Sequence, residues 1–98
     1  MLTHIAPCAT DWTDWERDEL DRLQALCEGI QEWELERGHT DAGDPWCIIY
    51  DQQNHFTVLH IARIDRRYVV LWPQEGWSDS KATVTAAVEI CLAHARTA

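Results

Sequence analysis

The chain has 98 residues, 17 of them acidic and eight of them Lys or Arg, for a net charge of −9; 46% are apolar and six are tryptophan. A chain of this length holds one modest core, so residues 1–98 read as a single domain, and so apolar and aromatic a composition excludes a disordered polypeptide. With a sequence pI of ≈ 4.7, direct binding of nucleic acid through a basic surface is excluded too.

Charge is unevenly spread: twelve acids fall in residues 1–44 against only Arg17, Arg22 and Arg37, whereas acids and bases balance in residues 45–98. No stretch approaches the roughly 18 apolar residues of a spanning helix, and the first residues lack the basic and apolar regions of a signal peptide. A cytoplasmic protein without a membrane association is expected.

In chain order, Thr13 followed by Glu16 fits a capping box, and Asp11, Asp14, Asp18 and Glu19 crowd the first turns, where a helix dipole favours anions. The pattern predicts one long acidic helix over residues 12–37, weakened at Gly29 and stopped at Gly38. At about 100° per residue, Trp12, Trp15, Leu20, Leu23, Leu26, Cys27, Ile30 and Trp33 share one arc, the expected core face. Opposite them Asp14, Asp18, Asp21, Glu28, Glu32 and Glu36 form a row of carboxylates. Glu16 and Glu19 project into the apolar arc, and Leu35 lies off it.

Residues 39–45 are a loop by composition. Three runs rich in β-branched and aromatic residues follow, predicting strands over 46–51, 55–64 and 67–72 in an antiparallel meander. With a four-residue loop at Asp51–Asn54, Trp46, Ile48, Tyr50, His55, Thr57, Leu59, Ile61 and Arg63 share one face. Cys47, Ile49, Phe56, Val58, His60, Ala62 and Ile64 share the other. A two-residue Asp65–Arg66 turn then adds Tyr68, Val70 and Trp72 to the first face and Val69 and Leu71 to the second. The first face, rich in aromatic residues, is the expected recognition surface.

A turn at 74–77 precedes a short apolar helix over 79–96, capped by Ser78 or Ser80. Val84, Ala87, Val88, Cys91, Leu92 and Ala95 recur on one stripe of it. The predicted fold is therefore α+β, two-layered, in the order α-β-β-β-α, with both helices packing on a three-stranded sheet. Double-stranded RNA-binding domains share this order, but they need basic phosphate contacts that an acidic chain lacks.

Cys8, Cys27, Cys47 and Cys91 lie in separate segments without metal-ligand spacing, so free thiols and no metal or other cofactor are expected. Cys47 and His60, placed on one face, form the best thiol-enzyme constellation, though on an aliphatic surface where both types are usually structural. The function that fits best is a non-enzymatic module that binds a protein with a basic surface. By class analogy, acidic phage inhibitors of bacterial defence systems occupy nucleic-acid-binding surfaces in this way. Its candidate contacts are the carboxylate row and the aromatic residues Trp12, Trp15, Trp46, Tyr50, Tyr68 and Trp72. The alternatives are a homodimer or accessory subunit using the aromatic sheet face, and a small thiol enzyme using Cys47 and His60.

Overall fold

The computed structural model describes residues 11–28, 32–40 and 43–97. Strand-like alternation over residues 33–38 divides the N-terminal half, so the long helix expected over 12–37 does not form. In its place are helix α1 (Asp14–Asp21), helix α2 (Gln24–Glu28) and strand β1 (Trp33–His39). The segment Trp-Glu-Leu-Glu-Arg-Gly-His alternates with period two, which places Trp33, Leu35 and Arg37 on one face and Glu34, Glu36 and Gly38 on the other. Leu35, off the helical stripe, falls into line on strand spacing.

Strands β2 (Pro45–Asp51), β3 (Phe56–Ile64) and β4 (Arg67–Trp72) occupy the three predicted runs. A 3₁₀ turn at Pro73–Glu75, closed by Gly76 in the left-handed region, reverses the chain into β5 (Trp77–Lys81). Helix α3 (Val84–Thr97) starts five residues later than the predicted helix, because residues 77–81 pair with β4. Thr83 caps it, its hydroxyl accepting from the Ala86 N–H at 3.1 Å. The sheet is thus a five-stranded antiparallel meander, β1-β2-β3-β4-β5, rather than three-stranded.

One irregularity decides which side chains share a face. Tyr50 pairs with Thr57, but Ile49 pairs with Leu59, so Val58 is an extra residue in β3. Beyond this bulge every β3 residue changes sides relative to an unbroken ladder. The predicted faces are corrected accordingly: Cys47 and Ile49 align with Leu59, Ile61 and Arg63, while Trp46 and Ile48 align with His60 and Ala62. The two-residue turn at Asp65–Arg66 is present, with φ of 51° and 65°, as a primed hairpin turn requires. Tyr68, Val70 and Trp72 therefore join the Cys47 face rather than the Trp46 face.

Among the described residues, the helices cover only the Cys47 face. Leu20, Leu23 and Cys27 from α1–α2 and Val84, Ala87, Val88 and Cys91 from α3 bury against Cys47, Ile49, Leu59, Ile61 and Val70. Complete burial of one such aliphatic side chain is worth roughly 1.5–3 kcal/mol, so this contact dominates folding. Polar contacts fix its geometry. Thr13 and Glu16 form the reciprocal capping box, and the same Glu16 carboxylate receives Arg63 and the Tyr68 hydroxyl, each at 2.5 Å. The glutamate that breaks the apolar arc of the first helix is thus the buried tie between α1 and the sheet. Burial pushes its carboxyl up, but the Thr13 N–H, the Tyr68 hydroxyl and Arg63 outweigh burial and hold it below the ordinary range.

On the α3 side, His94 stacks on Trp77, with ring centroids 4.6 Å apart, and its Nε2 lies 2.7 Å from a Glu75 oxygen. Among the described residues no helix is long and apolar enough to cross a membrane.

Candidate functional site

Among the described residues, the opposite face of the sheet carries no helix. Read across the strands, one row is Gly38, Trp46, Ala62, Val69 and Ser80, and the next is Glu36, Ile48, His60, Leu71 and Ser78. Glu34, Tyr50 and Thr57 form a third row at one end, and Ile64 with Arg67 closes the other. The centre of this face is apolar. Leu71 is 37% exposed and Ile64 42%, which places them among the most exposed large apolar side chains of the described residues.

Backbone close approach positions the indole of Trp46. A Cβ at Gly38 would lie 2.3 Å from its Cζ2, so only glycine at this place on β1 lets the ring lie over the neighbouring strand. The Trp46 carbonyl also accepts the indole N–H of buried Trp12 at 3.1 Å, so the base of the open face is linked to the helix layer. In the middle of the face, burial keeps His60 below its ordinary pKa, and its Nδ1 is buried without a hydrogen-bond partner among the described residues. A neutral imidazole between Ile48 and Leu71 extends the apolar surface.

A shallow depression lined by Leu71, Trp72, Pro73, Gly76, Trp77 and Ser78 adjoins this face at the β4–β5 connection. It adds an apolar recess on the side of the sheet away from β1.

The predicted acidic residues do not stay in one row. Asp14, Asp18 and Asp21 lie on α1, Glu28 ends α2, Glu32 sits in the turn before β1, and Glu36 is on the open face. The helix-layer acids are largely matched by the chain's own cations. Asp11 and Asp14 pair with Arg17, Glu19 and Glu89 with Arg22, and Asp21 with Arg37. On the open face, Glu34 and Glu36, like Asp18 and Glu28 of the helix layer, form no ion pair among the described residues, and Glu34 accepts from the Gln52 amide at 2.6 Å.

Of the predicted aromatic contacts, Trp46 and Tyr50 lie together on the open face. Tyr68 and Trp72 face the helices, because the bulge reverses their side relative to Trp46. Trp12 is buried, stacked on Tyr68 with Arg63 5.7 Å from its ring centroid, whereas Trp15 is 57% exposed on α1. Residues missed by sequence reasoning are Glu34, Gly38, Val69 and Leu71. The alternation of residues 33–38 was the available signal for the first two.

Cys47 and His60 are separated by the sheet itself, since Cys47 faces the core and His60 pairs with Ile48 on the open side. Burial pushes the Cys47 thiol up to about 12, so a thiolate is disfavoured there. Among the described residues no three His, Cys, Asp or Glu side chains converge in a group able to hold a metal ion. No protein-family model matches this sequence, and neither a curated protein nor a solved structure is significantly similar to it.

Proposed function

We propose that this chain is a non-enzymatic protein-binding module that docks its partner on the open face of the sheet. The observation that carries this reading is the contiguous apolar surface of Trp46, Ile48, Tyr50, Val69 and Leu71, on which no helix packs among the described residues. Soluble domains seldom leave a broad apolar sheet face bare unless it is an interaction surface. Aromatic side chains at its centre are the types that dominate interface energetics.

The reading of six carboxylates as a nucleic-acid mimic depends on a single helix through residues 12–37, and the acids are instead divided among α1, α2, a turn and β1. A thiol-enzyme reading lacks its nucleophile–base contact, because Cys47 and His60 occupy opposite faces. Docking through the open face needs neither.

Site-specific photocross-linking in the native host tests the proposal. A photoreactive residue replacing Leu71 should give a discrete protein adduct that Ile48→Lys abolishes, while the same group replacing Asp18 on α1 should not. Equal adduct patterns from the two positions would refute docking on this face.

A further inference from the structure

We infer that the partner seated on the open face is a basic amphipathic helix, whose Lys or Arg residues four apart meet Glu34 and Glu36 while its apolar stripe covers Ile48, Tyr50 and Leu71. This inference rests on the docking reading above and adds the chemistry and shape of the occupant.

The charge pattern supplies the first argument. Arg17, Arg22, Arg37 and Arg63 each hold at least one of the chain's own carboxylates. Glu34 and Glu36 are exposed, stand beside Tyr50 and Ile48 on the apolar face, and have no cation among the described residues. A partner that covers this face without cations would bring two carboxylates to the rim of a desolvated contact at a cost, whereas one that places cations there gains charge-assisted hydrogen bonds. A second copy of this chain is a poor occupant, since each copy carries a net charge of −9 and the field of one repels the other. Arg67, the cation on the open face, is at the far corner and already donates to the Ser80 hydroxyl at 2.7 Å and to the Ser80 carbonyl at 3.1 Å.

Geometry supplies the second. Alternate residues of a strand are about 6.7 Å apart, and residues four apart on a helix rise about 6 Å, so two cations at i and i+4 match the two glutamates. A partner lying on the face of a sheet, rather than at its edge, cannot use the ladder's backbone groups. It must satisfy its own, as a helix does. From β1 to β4 is three strand spacings, roughly 14–15 Å, close to the 10–12 Å diameter of a helix with its side chains. One flank of such a helix then reaches Glu34 and Glu36, and the other reaches Leu71 and the depression between Pro73 and Trp77, where one large apolar side chain can anchor.

The test is selection from a phage-displayed library of amphipathic helices with an apolar stripe and flanks randomised among Lys, Glu and Gln. Selected helices should carry Lys at i, i+4 on one flank. Against their synthetic peptides, Glu34→Lys with Glu36→Lys should slow association roughly tenfold or more at low salt and flatten its salt dependence. Leu71→Lys should abolish binding while thermal melts of all variants match the wild type. Selected flanks that are acidic or neutral, or indifference to the double charge reversal, overturn the basic partner. If Leu71→Lys still abolishes binding in that case, docking on the open face stands. A library that yields no binder, or binders indifferent to Leu71→Lys, overturns both.

Discussion

The two faces of one sheet use similar residues to opposite ends. On the covered face, polar groups are drawn into closed arrangements: Glu16 with Thr13, Arg63 and Tyr68, and Asp51 with Gln53, Asn54 and Trp33, the Trp72 indole N–H being the exception. On the open face an apolar centre is bordered by two carboxylates that have no cation among the described residues. The difference teaches that apolarity alone does not mark the core side. What marks it is whether the polar groups at the margin are satisfied within the chain.

Breaking the Glu16 arrangement should have the largest effect. Glu16→Ala removes a helix cap, the carboxylate paired with Arg63 and the acceptor of the Tyr68 hydroxyl in a partly buried site, and should cost about 3 kcal/mol or more in urea unfolding. Its acid sensitivity follows from sign. The folded pKa lies below the unfolded value of about 4.3, so the stabilisation is full above that value and is lost as pH falls through the folded one. Glu16→Gln should therefore unfold with a shallower pH dependence than wild type in acid, and an unchanged slope would remove Glu16 as the acid-labile group.

Next, truncation should separate the faces. Ile61→Ala, at a fully buried position among the helices, is expected to lose roughly 3 kcal/mol, and Leu71→Ala on the open side under about 1 kcal/mol. Equal losses in chemical denaturation would mean that the open face is packed in solution after all. Gly38→Ala should cost about 1–3 kcal/mol by driving its methyl into the Trp46 ring, with a shift in tryptophan emission reporting the displaced indole. The smallest effect is a gain. Arg66 holds a left-handed backbone, and Arg66→Gly should raise stability by about 1 kcal/mol in thermal unfolding without favouring either face.

Much of the centre of the sheet was legible in the sequence, because β2, β3 and β4 are continuous runs of Val, Ile, Leu and aromatics bounded by polar turns. Both edge strands were not. Trp33 falls three residues after Ile30 and seven after Leu26, which keeps it on the helical stripe, and the glutamates between Trp33 and Arg37 extend an acidic pattern that genuinely begins in α1. In β5 only Trp77 is apolar, as suits an edge strand beside solvent, and its serines resemble a helix cap. The faces were misassigned for a different reason. A bulge at Val58 adds one residue with no compositional mark, and that single residue exchanges the partners of Cys47 and Trp46. The candidate site was therefore read in half: Trp46, Ile48, Tyr50 and Thr57 were grouped correctly, but their neighbours on β3 beyond the bulge and on β4 were not.

The meander has a further consequence, for how the chain reaches this structure. Every strand pairs with its neighbour in sequence, so the sheet can assemble as successive hairpins, each on a timescale of about 1–10 μs, without closing a long loop. The helix layer is less local: the Arg63 contact to Glu16 spans 47 positions and the Trp12 contact to Trp46 spans 34. A sheet formed ahead of that docking would be bare on both sides. On a crowded ribosome or in a refolding tube, the first seconds would then favour dilute chains, and the arrival of α1 would be the step that leaves the protein with one sticky side instead of two.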